Sequence, residues 1–468
     1  MFRSTSLYIG IFSIFVSFFS FLNVIYSYYF QFHLNLKAYL ITLVISLILG
    51  ILFILIQKKE LLKITLYEKL FIIVFGFFYF PFLISITYYF SIYNLSFLNS
   101  FFESVSGFTG TGFSIITNVN SIDDSLIIWR STSQWLGGLY FLFSLILLLE
   151  SFNIKLKNFL TSFISFNLYE IKKQFLKILI LYTVLTLLIL ILLYLSNLRL
   201  FDSYNLSLTI ISSGGFLPNN SLDKILINEN QKIVVSFTML ISFFSLYTLY
   251  NLFFFKKNIN LFQEDILLLL YLIFLIFITY IFFNKYYDYN SIFFALTSTL
   301  AGIGISPPDT YEDLSIFFLF ILIIGGGFFS TGSGFKFLKF FILTKYSFNV
   351  LLSIARPKHV NKTRLFLSNL NINSDEANKY FLTFLLMILS LFFLSSFLSF
   401  YGIDFKQSLT LSILTITNTV NSSIYDISNF NFFNMQIFPK ILLIFFMILG
   451  RIEILSVLIL FKKFFFKD

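Results

Sequence analysis

The chain has 468 residues, of which 58% are apolar, and a mean hydropathy of +0.89, which together exclude an ordinary soluble domain. It contains no cysteine, which excludes disulfides and thiolate metal sites. Its two histidines, His33 and His359, lie far apart in predicted loops, so no histidine-based metal or proton site is expected. The net charge of +10 would suit nucleic acid, but its placement argues against such a partner.

Runs of about 20 apolar residues recur along the chain, and each is long enough to cross about 30 Å of hydrocarbon. With spans placed by hydropathy, most of the 32 Lys and Arg residues fall on one side, in segments around Lys58, Lys155, Lys256, Arg364 and Lys462. The other side collects acidic residues, among them Asp123, Asp202, Asp309 and Asp426. The positive-inside rule makes the basic side cytoplasmic. We therefore predict a multi-pass plasma-membrane protein with a cytoplasmic N-terminus.

The first two predicted spans, residues 7–30 and 38–56, form a peripheral N-terminal pair within a unit at 1–60. The first apolar run is too long for a signal-peptide core, so we expect it to be retained. After this pair, one pattern repeats four times: a long helix, a short re-entrant half-helix ending in a turn, and a second long helix. The predicted units span residues 61–152, 153–257, 258–350 and 351–468.

The pattern predicts an all-α integral membrane protein with ten crossing helices and four half-helices around one pore, and no separate soluble domain. The predicted long helices after the N-terminal pair are 68–92, 126–150, 174–197, 231–255, 264–284, 314–345, 376–402 and 437–461. The predicted half-helices are 97–108, 201–212, 289–301 and 405–418. We expect the longest cytoplasmic loops at about 151–173 and 346–375.

The turn in the first unit reads Gly-Phe-Thr-Gly-Thr-Gly-Phe-Ser at residues 107–114. Such a stretch is too rich in glycine and hydroxyl groups for a lipid-facing helix, and non-helical backbone at that depth survives only beside water, an ion or protein. Related turns follow the other half-helices. The predicted filter residues are Gly110, Thr111, Gly112, Ser213, Gly214, Gly215, Ile303, Gly304, Val420 and Asn421.

Four such turns around one axis would form a ring of carbonyl oxygens, which can replace the hydration shell of a cation. Glycine permits the backbone angles that such a ring requires, and the partly negative end of each half-helix would favour a cation nearby. A set of plain glycine hairpins is the alternative. The fourfold recurrence, each time between a half-helix and a full span, favours the pore.

A second glycine-rich segment interrupts the long helix of the third unit. It contains the predicted gating residues Gly325, Gly326, Gly327, Ser330, Thr331, Gly332, Ser333 and Gly334. Three successive glycines should break a helix, at about 1 kcal/mol each relative to alanine. We interpret this polar segment as a gate below the filter; close helix packing through small residues is the alternative. It lacks the lysine–hydroxyl pair of a phosphate-binding loop.

Arg451 lies inside the last span, where an unpaired arginine costs about 2.5–3.5 kcal/mol on insertion scales. We predict that it faces the ion path or the gating segment; the alternative is a structural ion pair, although Glu453 lies on a different helix face. Glu103, in the first half-helix, is predicted to brace the filter from behind.

Together, several motifs resemble the Trk/Ktr/HKT superfamily of potassium transporters, and the two extra N-terminal helices resemble its TrkH branch. The motifs are the 106–112 turn, Trp129-Arg130, Gln134-Trp135-Leu136-Gly137-Gly138, the 330–336 segment and Gly450-Arg451-Ile452-Glu453. The resemblance implies a potassium ion as the transported species, no organic cofactor, and a location in a bacterial inner membrane. It also implies a homodimer with one pore per subunit, embedded in lipid, and a separate TrkA-like, nucleotide-binding cytoplasmic subunit.

The fourth turn departs from the family pattern. The family has Asn-x-x-Gly-Pro-Gly there, whereas this chain has Asn418-Thr419-Val420-Asn421-Ser422-Ser423, so Asn421 is predicted to stand in the place of the filter glycine. Asparagine tolerates positive φ better than other non-glycine residues. The third turn, Gly302-Ile303-Gly304, also lacks the usual threonines.

We therefore predict potassium uptake driven by the membrane potential, with a sodium-permeable or poorly selective transporter of the same fold as the alternative. An alternating-access carrier built on broken helices is a further possibility. A membrane enzyme would need a polar catalytic cluster, and the sequence offers none, so no enzymatic activity is expected.

Overall fold

A computed structural model describes residues 2–56, 65–148, 171–246, 249, 263–283, 288–306, 314–355, 374–428 and 430–452. The predicted basic segments around Lys58, Lys155, Lys256, Arg364 and Lys462 lie outside these residues, as do Asp309 and Glu453. The predicted unit boundaries at 60, 152 and 257 also fall there.

The described chain is almost entirely helical. The helices are α1 Phe2–Tyr29, α2 Leu36–Leu55, α3 Leu66–Tyr89, α4 Phe97–Thr109, α5 Asp124–Leu148, α6 Ile171–Leu195, α7 Leu200–Ile211, α8 Glu229–Phe243, α9 Gln263–Phe283, α10 Tyr289–Leu300, α11 Ser315–Ile323, α12 Phe337–Ala355, α13 Ser374–Phe400, α14 Phe405–Thr417 and α15 Ile437–Ile452. Two short strands, β1 Ile324–Gly325 and β2 Phe335–Lys336, pair in parallel between α11 and α12.

Eight helices among the described residues are long and apolar enough to cross a membrane: α1, α2, α3, α5, α6, α9, α12 and α13. The chain is an all-α, multi-pass membrane protein. Of the ten predicted crossings, the one at 231–255 is shorter than expected because α8 ends at Phe243. The helix predicted at 314–345 is divided into α11 and α12. Because α12 continues to Ala355, the predicted boundary at 350 falls inside it, and the loop predicted from 346 begins later.

The four half-helices, α4, α7, α10 and α14, are each held between long helices. The second long helix of every unit packs against the half-helix of the next: α5 against α7, α8 against α10, α11 against α14, and α15 against α4. The series closes on itself, so the four units form a ring in chain order around one axis.

Helix α5 is the centre of the packing. Its candidate span is buried along the whole length, whereas lipid-facing α9 and α13 expose most of theirs. The N-terminal helices α1 and α2 pack against each other and against α3, and α1 also reaches α5. Phe12 of α1 meets Tyr140 of α5 edge-on, with ring centroids 4.9 Å apart. The N-terminal pair therefore supports the ring from outside.

Glycines let the long helices approach the ends of the half-helices. A Cβ on Gly450 of α15 would collide with the carbonyl of Ile416 in α14, and a Cβ on Gly137 of α5 would collide with that of Phe108 in α4. Both obstacles are backbone atoms, which cannot turn aside.

We expect Gly450→Ala to destabilise the folded protein, because overpacking a close helix contact costs about 1–3 kcal/mol. The melting temperature in detergent measures the effect; it is obtained from the fraction of protein that remains monodisperse after heating. Ile441→Ala, at an exposed position of the same helix, is the control. Equal melting temperatures for the two variants would contradict the close contact.

Candidate functional site

The four turns that end the half-helices begin with the same backbone conformation. We name them turn 1 (residues 110–112), turn 2 (213–215), turn 3 (302–304) and turn 4 (418–420). The first residue of each is left-handed, with φ of 76° at Gly110, 54° at Ser213, 69° at Gly302 and 49° at Asn418. The next N–H then donates to the carbonyl five residues back: Thr111 to Ser106, Gly214 to Thr209, Ile303 to Ser298, and Thr419 to Leu414, at 2.8–3.0 Å.

This hydrogen-bond register corrects the assignment of the fourth turn. The residues that follow the shared bond are Gly112, Gly215, Gly304 and Val420, so Val420 and not Asn421 is the counterpart of the predicted filter glycines. The Asn421 amide instead donates outward to the carbonyls of Ile427 and Ser428, at 3.3 and 3.4 Å. Asn418 occupies the left-handed position that Gly110 occupies in turn 1. The counterpart of Gly112 therefore lies two residues after Asn418, at Val420, whereas the family pattern had predicted it three residues after, at Asn421.

Contacts between neighbouring turns follow the ring of units. A Cβ on Gly110 would lie 3.3 Å from the Ser213 carbonyl, which joins turns 1 and 2. The Val420 N–H donates to the Ile303 carbonyl at 3.3 Å, which joins turns 3 and 4. The Asn418 amide donates to the Thr111 hydroxyl at 3.0 Å, which joins turns 4 and 1. Turns 1 and 3 therefore lie on one diagonal, and turns 2 and 4 on the other.

A buried ion pair supports turn 1 from behind. Arg130 Nε of α5 lies 3.0 Å from Glu103 Oε1 of α4, and both side chains are almost fully buried. Glu103 also accepts from the backbone N–H of Ile115 at 2.7 Å, while Arg130 Nη2 donates to the Ser114 hydroxyl at 2.9 Å. The pair thus fixes the chain that leaves turn 1, which is where Glu103 was predicted to act.

Two residues of α5 extend this support to turn 2. The Arg130 guanidinium lies over the Phe216 ring, 4.2 Å from its centroid. The Gln134 amide, oriented to satisfy its neighbours, accepts from the N–H groups of Gly215 and Phe216 at 3.1 Å each. One helix therefore braces two adjacent turns.

Hydroxyl groups at the half-helix ends are used for bracing. Thr109 donates to the Val105 carbonyl at 2.8 Å and contacts the Thr111 hydroxyl at 2.8 Å. Ser212 donates back to the Leu208 carbonyl at 2.8 Å. These contacts brace the turns.

The glycine-rich segment at 325–334, here called the glycine loop, is buried directly against three turns. Thr331 and Ser213 hydroxyls lie 3.1 Å apart, which joins the loop to turn 2. Ser333 donates to the carbonyl of Thr417 at the base of turn 4, and a Cβ on Gly332 would lie 3.3 Å from the Ala301 carbonyl beside turn 3.

Lys336 holds the glycine loop in a compact shape. Its buried ammonium group donates to the carbonyls of Ser330, at 3.0 Å, and of Gly332, and it lies 5.3 Å from the centroid of the Phe141 ring. The Lys336 ammonium group thus holds the Ser330 and Gly332 carbonyls close together. The sequence indicated a helix break and a polar segment here, but not these hydrogen bonds from Lys336 within the loop.

The end of α8 anchors the other side of the loop. The Gly327 N–H donates to the Phe243 carbonyl at 2.9 Å, and the Leu246 N–H donates to the Phe329 carbonyl at 3.1 Å. Glu264 of α9 accepts from the Phe328 N–H at 2.6 Å. These bonds explain why α8 ends at Phe243: the backbone beyond it pairs with the loop instead of with its own helix.

Arg451 lies beside turns 1 and 2 at their lower end. Its Nη2 donates to the Ser212 carbonyl at 3.3 Å, and its guanidinium lies over the Phe141 ring at 4.3 Å. No described carboxylate pairs with it, and its Nε and Nη1 atoms are buried without a hydrogen-bond partner among the described residues. Within the described part of the chain, the arginine lies beside turns 1 and 2 and does not form the ion pair that was the alternative.

The predicted filter and gating residues lie in or beside the four turns and the glycine loop. The exception is the Asn421 side chain, which hydrogen-bonds to Ile427 and Ser428 instead. Sequence reasoning gave no role to Arg130, Gln134 or Lys336. The signal available for Arg130 and Gln134 was their spacing, since positions four apart share one helix face. The described residues contain no group of three or more His, Cys, Asp or Glu side chains that could hold a metal.

We expect Glu103→Gln to destabilise the protein strongly, because it leaves the buried Arg130 charge without its partner. Such a loss lowers the free energy of unfolding by about 3–5 kcal/mol. The control is Asp426→Asn, which breaks the exposed pair with Lys406, worth about 0–1 kcal/mol. Melting temperatures in detergent compare the two. A small, equal loss in both would mean that the Glu103–Arg130 pair does not support the fold.

Comparison with known proteins shows that the chain is similar in sequence to cation transporters. It is 27% identical over 397 residues to an uncharacterized cation transporter of Methanocaldococcus jannaschii, covering 82% of this chain and 80% of the relative. It is 26% identical over 398 residues to the Trk system potassium uptake protein TrkG of Escherichia coli, covering 80% of each. No protein-family model matches the chain.

The crystal structure of the potassium transporter TrkH from Vibrio parahaemolyticus has the same fold. The TM-score is 0.86 at 18% identity, with 98% of each chain covered. These matches confirm the resemblance indicated by the turn motifs: the chain is similar in sequence to TrkG and TrkH proteins and has the TrkH fold.

Proposed function

We propose that the protein takes up potassium ions across the plasma membrane through a filter formed by turns 1 to 4. The observation that carries this proposal is the closed ring of four turns with one backbone register, buried at the ends of four half-helices. Such a ring offers backbone oxygens without fixed negative charge, so a cation can enter and leave. The relatives named as potassium uptake proteins support the choice of ion.

The glycine loop and Arg451 form the gate in this proposal. Both lie against the same end of the ring, where the loop contacts turns 2 to 4 and the arginine contacts turns 1 and 2. A positive guanidinium beside the ion path raises the energy of a passing cation. Uptake then requires the loop to move aside, and the membrane potential drives the ion at about 2.3 kcal/mol per charge per 100 mV.

The proposal extends to location and assembly. The protein acts in a bacterial inner membrane with a cytoplasmic N-terminus, as a homodimer with one pore per subunit. A TrkA-like nucleotide-binding subunit on the cytoplasmic side regulates it. The family resemblance supports these assignments, and the charge distribution of the sequence supports the orientation. The protein is a transporter and not an enzyme.

Gly304→Ala should abolish rubidium uptake in a potassium-uptake-deficient bacterial strain, because a side chain at φ +79° strains turn 3 and would meet the Thr419 methyl group. Gly402→Ala is the matched control. Gly402 has a similar φ of +88°, yet a Cβ there meets nothing within 4 Å. We expect this control to keep wild-type uptake.

Sodium uptake is measured in the same cells. Sodium entry equal to rubidium entry would favour the poorly selective alternative. If wild-type protein, verified in the membrane and co-expressed with a TrkA-like subunit, moves neither ion, the proposed function is wrong.

Lys336→Met should increase rubidium uptake several-fold. Methionine keeps the apolar part of the side chain but cannot donate to the Ser330 and Gly332 carbonyls, so the glycine loop can move aside more readily. Lys406→Met, at an exposed position on the acidic outer side, is the charge-matched control. Initial rates of rubidium uptake at equal membrane levels make the comparison. Unchanged or lower uptake in well-folded Lys336→Met protein would contradict a closing role for this lysine.

A further inference from the structure

Turn 4 places a branched apolar side chain where the other three turns have glycine. Val420 is the counterpart of Gly112, Gly215 and Gly304. A Cβ on Gly112 would lie 3.0 Å from both Cβ and Cγ2 of Val420. A Cβ on Gly215 would come closer to the Val420 Cβ than real Cβ atoms do. The isopropyl group is therefore in van der Waals contact with both glycines.

The contact with Gly215 runs across the ring. Turn 2 and turn 4 lie on one diagonal, so a side chain of turn 4 that touches the backbone of turn 2 spans the axis. An ion held between opposite carbonyls needs that space for itself and the oxygens on both sides. At the level of these four residues the isopropyl group occupies it.

The backbone of turn 4 reinforces this narrowing. The Val420 N–H donates to the Ile303 carbonyl of turn 3 at 3.3 Å, which draws turn 4 towards its neighbour. The Asn418 amide ties the same turn to Thr111 and, at 2.8 Å, to the Met447 carbonyl. Turn 4 is thus held on both sides with its side chain directed inward.

We propose that Val420 determines which monovalent cations pass, by narrowing the ring to the disadvantage of the larger ions. This inference rests on the proposed transport function and adds a residue to it. Passage requires the isopropyl group to leave the axis, and the displacement needed grows with the radius of the ion. Asn421, whose amide is turned outward, does not contribute.

Purified full-length protein in liposomes allows the size dependence to be measured directly. Initial uptake of caesium, rubidium and sodium is compared for the wild type, Val420→Ala and Val420→Gly. We expect the caesium-to-sodium ratio to rise in that order, several-fold in total. Val44→Ala, at a lipid-facing position of α2, is the control. Asn421→Gly tests the competing assignment.

The outcomes separate the inference from the transport function. If the wild type transports and the Val420 variants keep its ion ratio, the inference is overturned and transport stands. A shift with Asn421→Gly as large as that with Val420→Gly overturns it as well. If only the Val420 variants transport, Val420 blocks every ion in the wild type, which overturns both a selective role for this residue and the proposed uptake by the wild type.

If no variant transports, the proposed function fails, and a binding measurement decides the inference. The chain has no cysteine, so Val420→Cys and Asn421→Cys each introduce a single thiol. We expect potassium to slow the reaction of the Val420→Cys thiol with a small cationic methanethiosulfonate at least several-fold, and to leave the Asn421→Cys thiol unaffected. Equal protection of both thiols, or of neither, overturns the inference.

Discussion

Backbone that leaves a helix inside a membrane must still satisfy its hydrogen bonds, and this constraint shapes the whole molecule. Each of the four turns meets it with an N–H bond to the carbonyl five residues back. Buried side chains accept further N–H groups: Glu103 accepts from Ile115, and Gln134 accepts from Gly215 and Phe216. The glycine loop meets the same requirement differently, by pairing with backbone that α8 releases beyond Phe243. The site exists because each of these irregular segments has a specific partner.

The partners are concentrated on few elements. Helix α5 supplies Arg130 and Gln134 to turns 1 and 2, and its Phe141 ring lies against both Lys336 and Arg451. Lys336 and Arg451 therefore share one aromatic neighbour, although they belong to different units.

Much of the fold could be predicted from the sequence, because long apolar runs and recurring glycine turns are local signals. The half-helices and the break before α12 were predicted from the same local signals. The early end of α8 could not be predicted, because its cause is pairing with a loop about 80 residues later. The register of turn 4 was misjudged for a related reason: asparagine and glycine both accept a left-handed conformation, so the letters alone did not reveal that Asn418 corresponds to Gly110. Hydrogen bonds in three dimensions resolve that ambiguity.

The packing of α15 against α4 closes the ring between the last and first units. Units 1 to 3 emerge from the ribosome in order, and each can meet its predecessor as it enters the membrane. Half-helix α4, in contrast, lacks its contact with α15 until that helix has been inserted. The internal pair of Glu103 and Arg130 lies entirely within unit 1. This pair can therefore form, and support turn 1, before α15 is in place to close the ring.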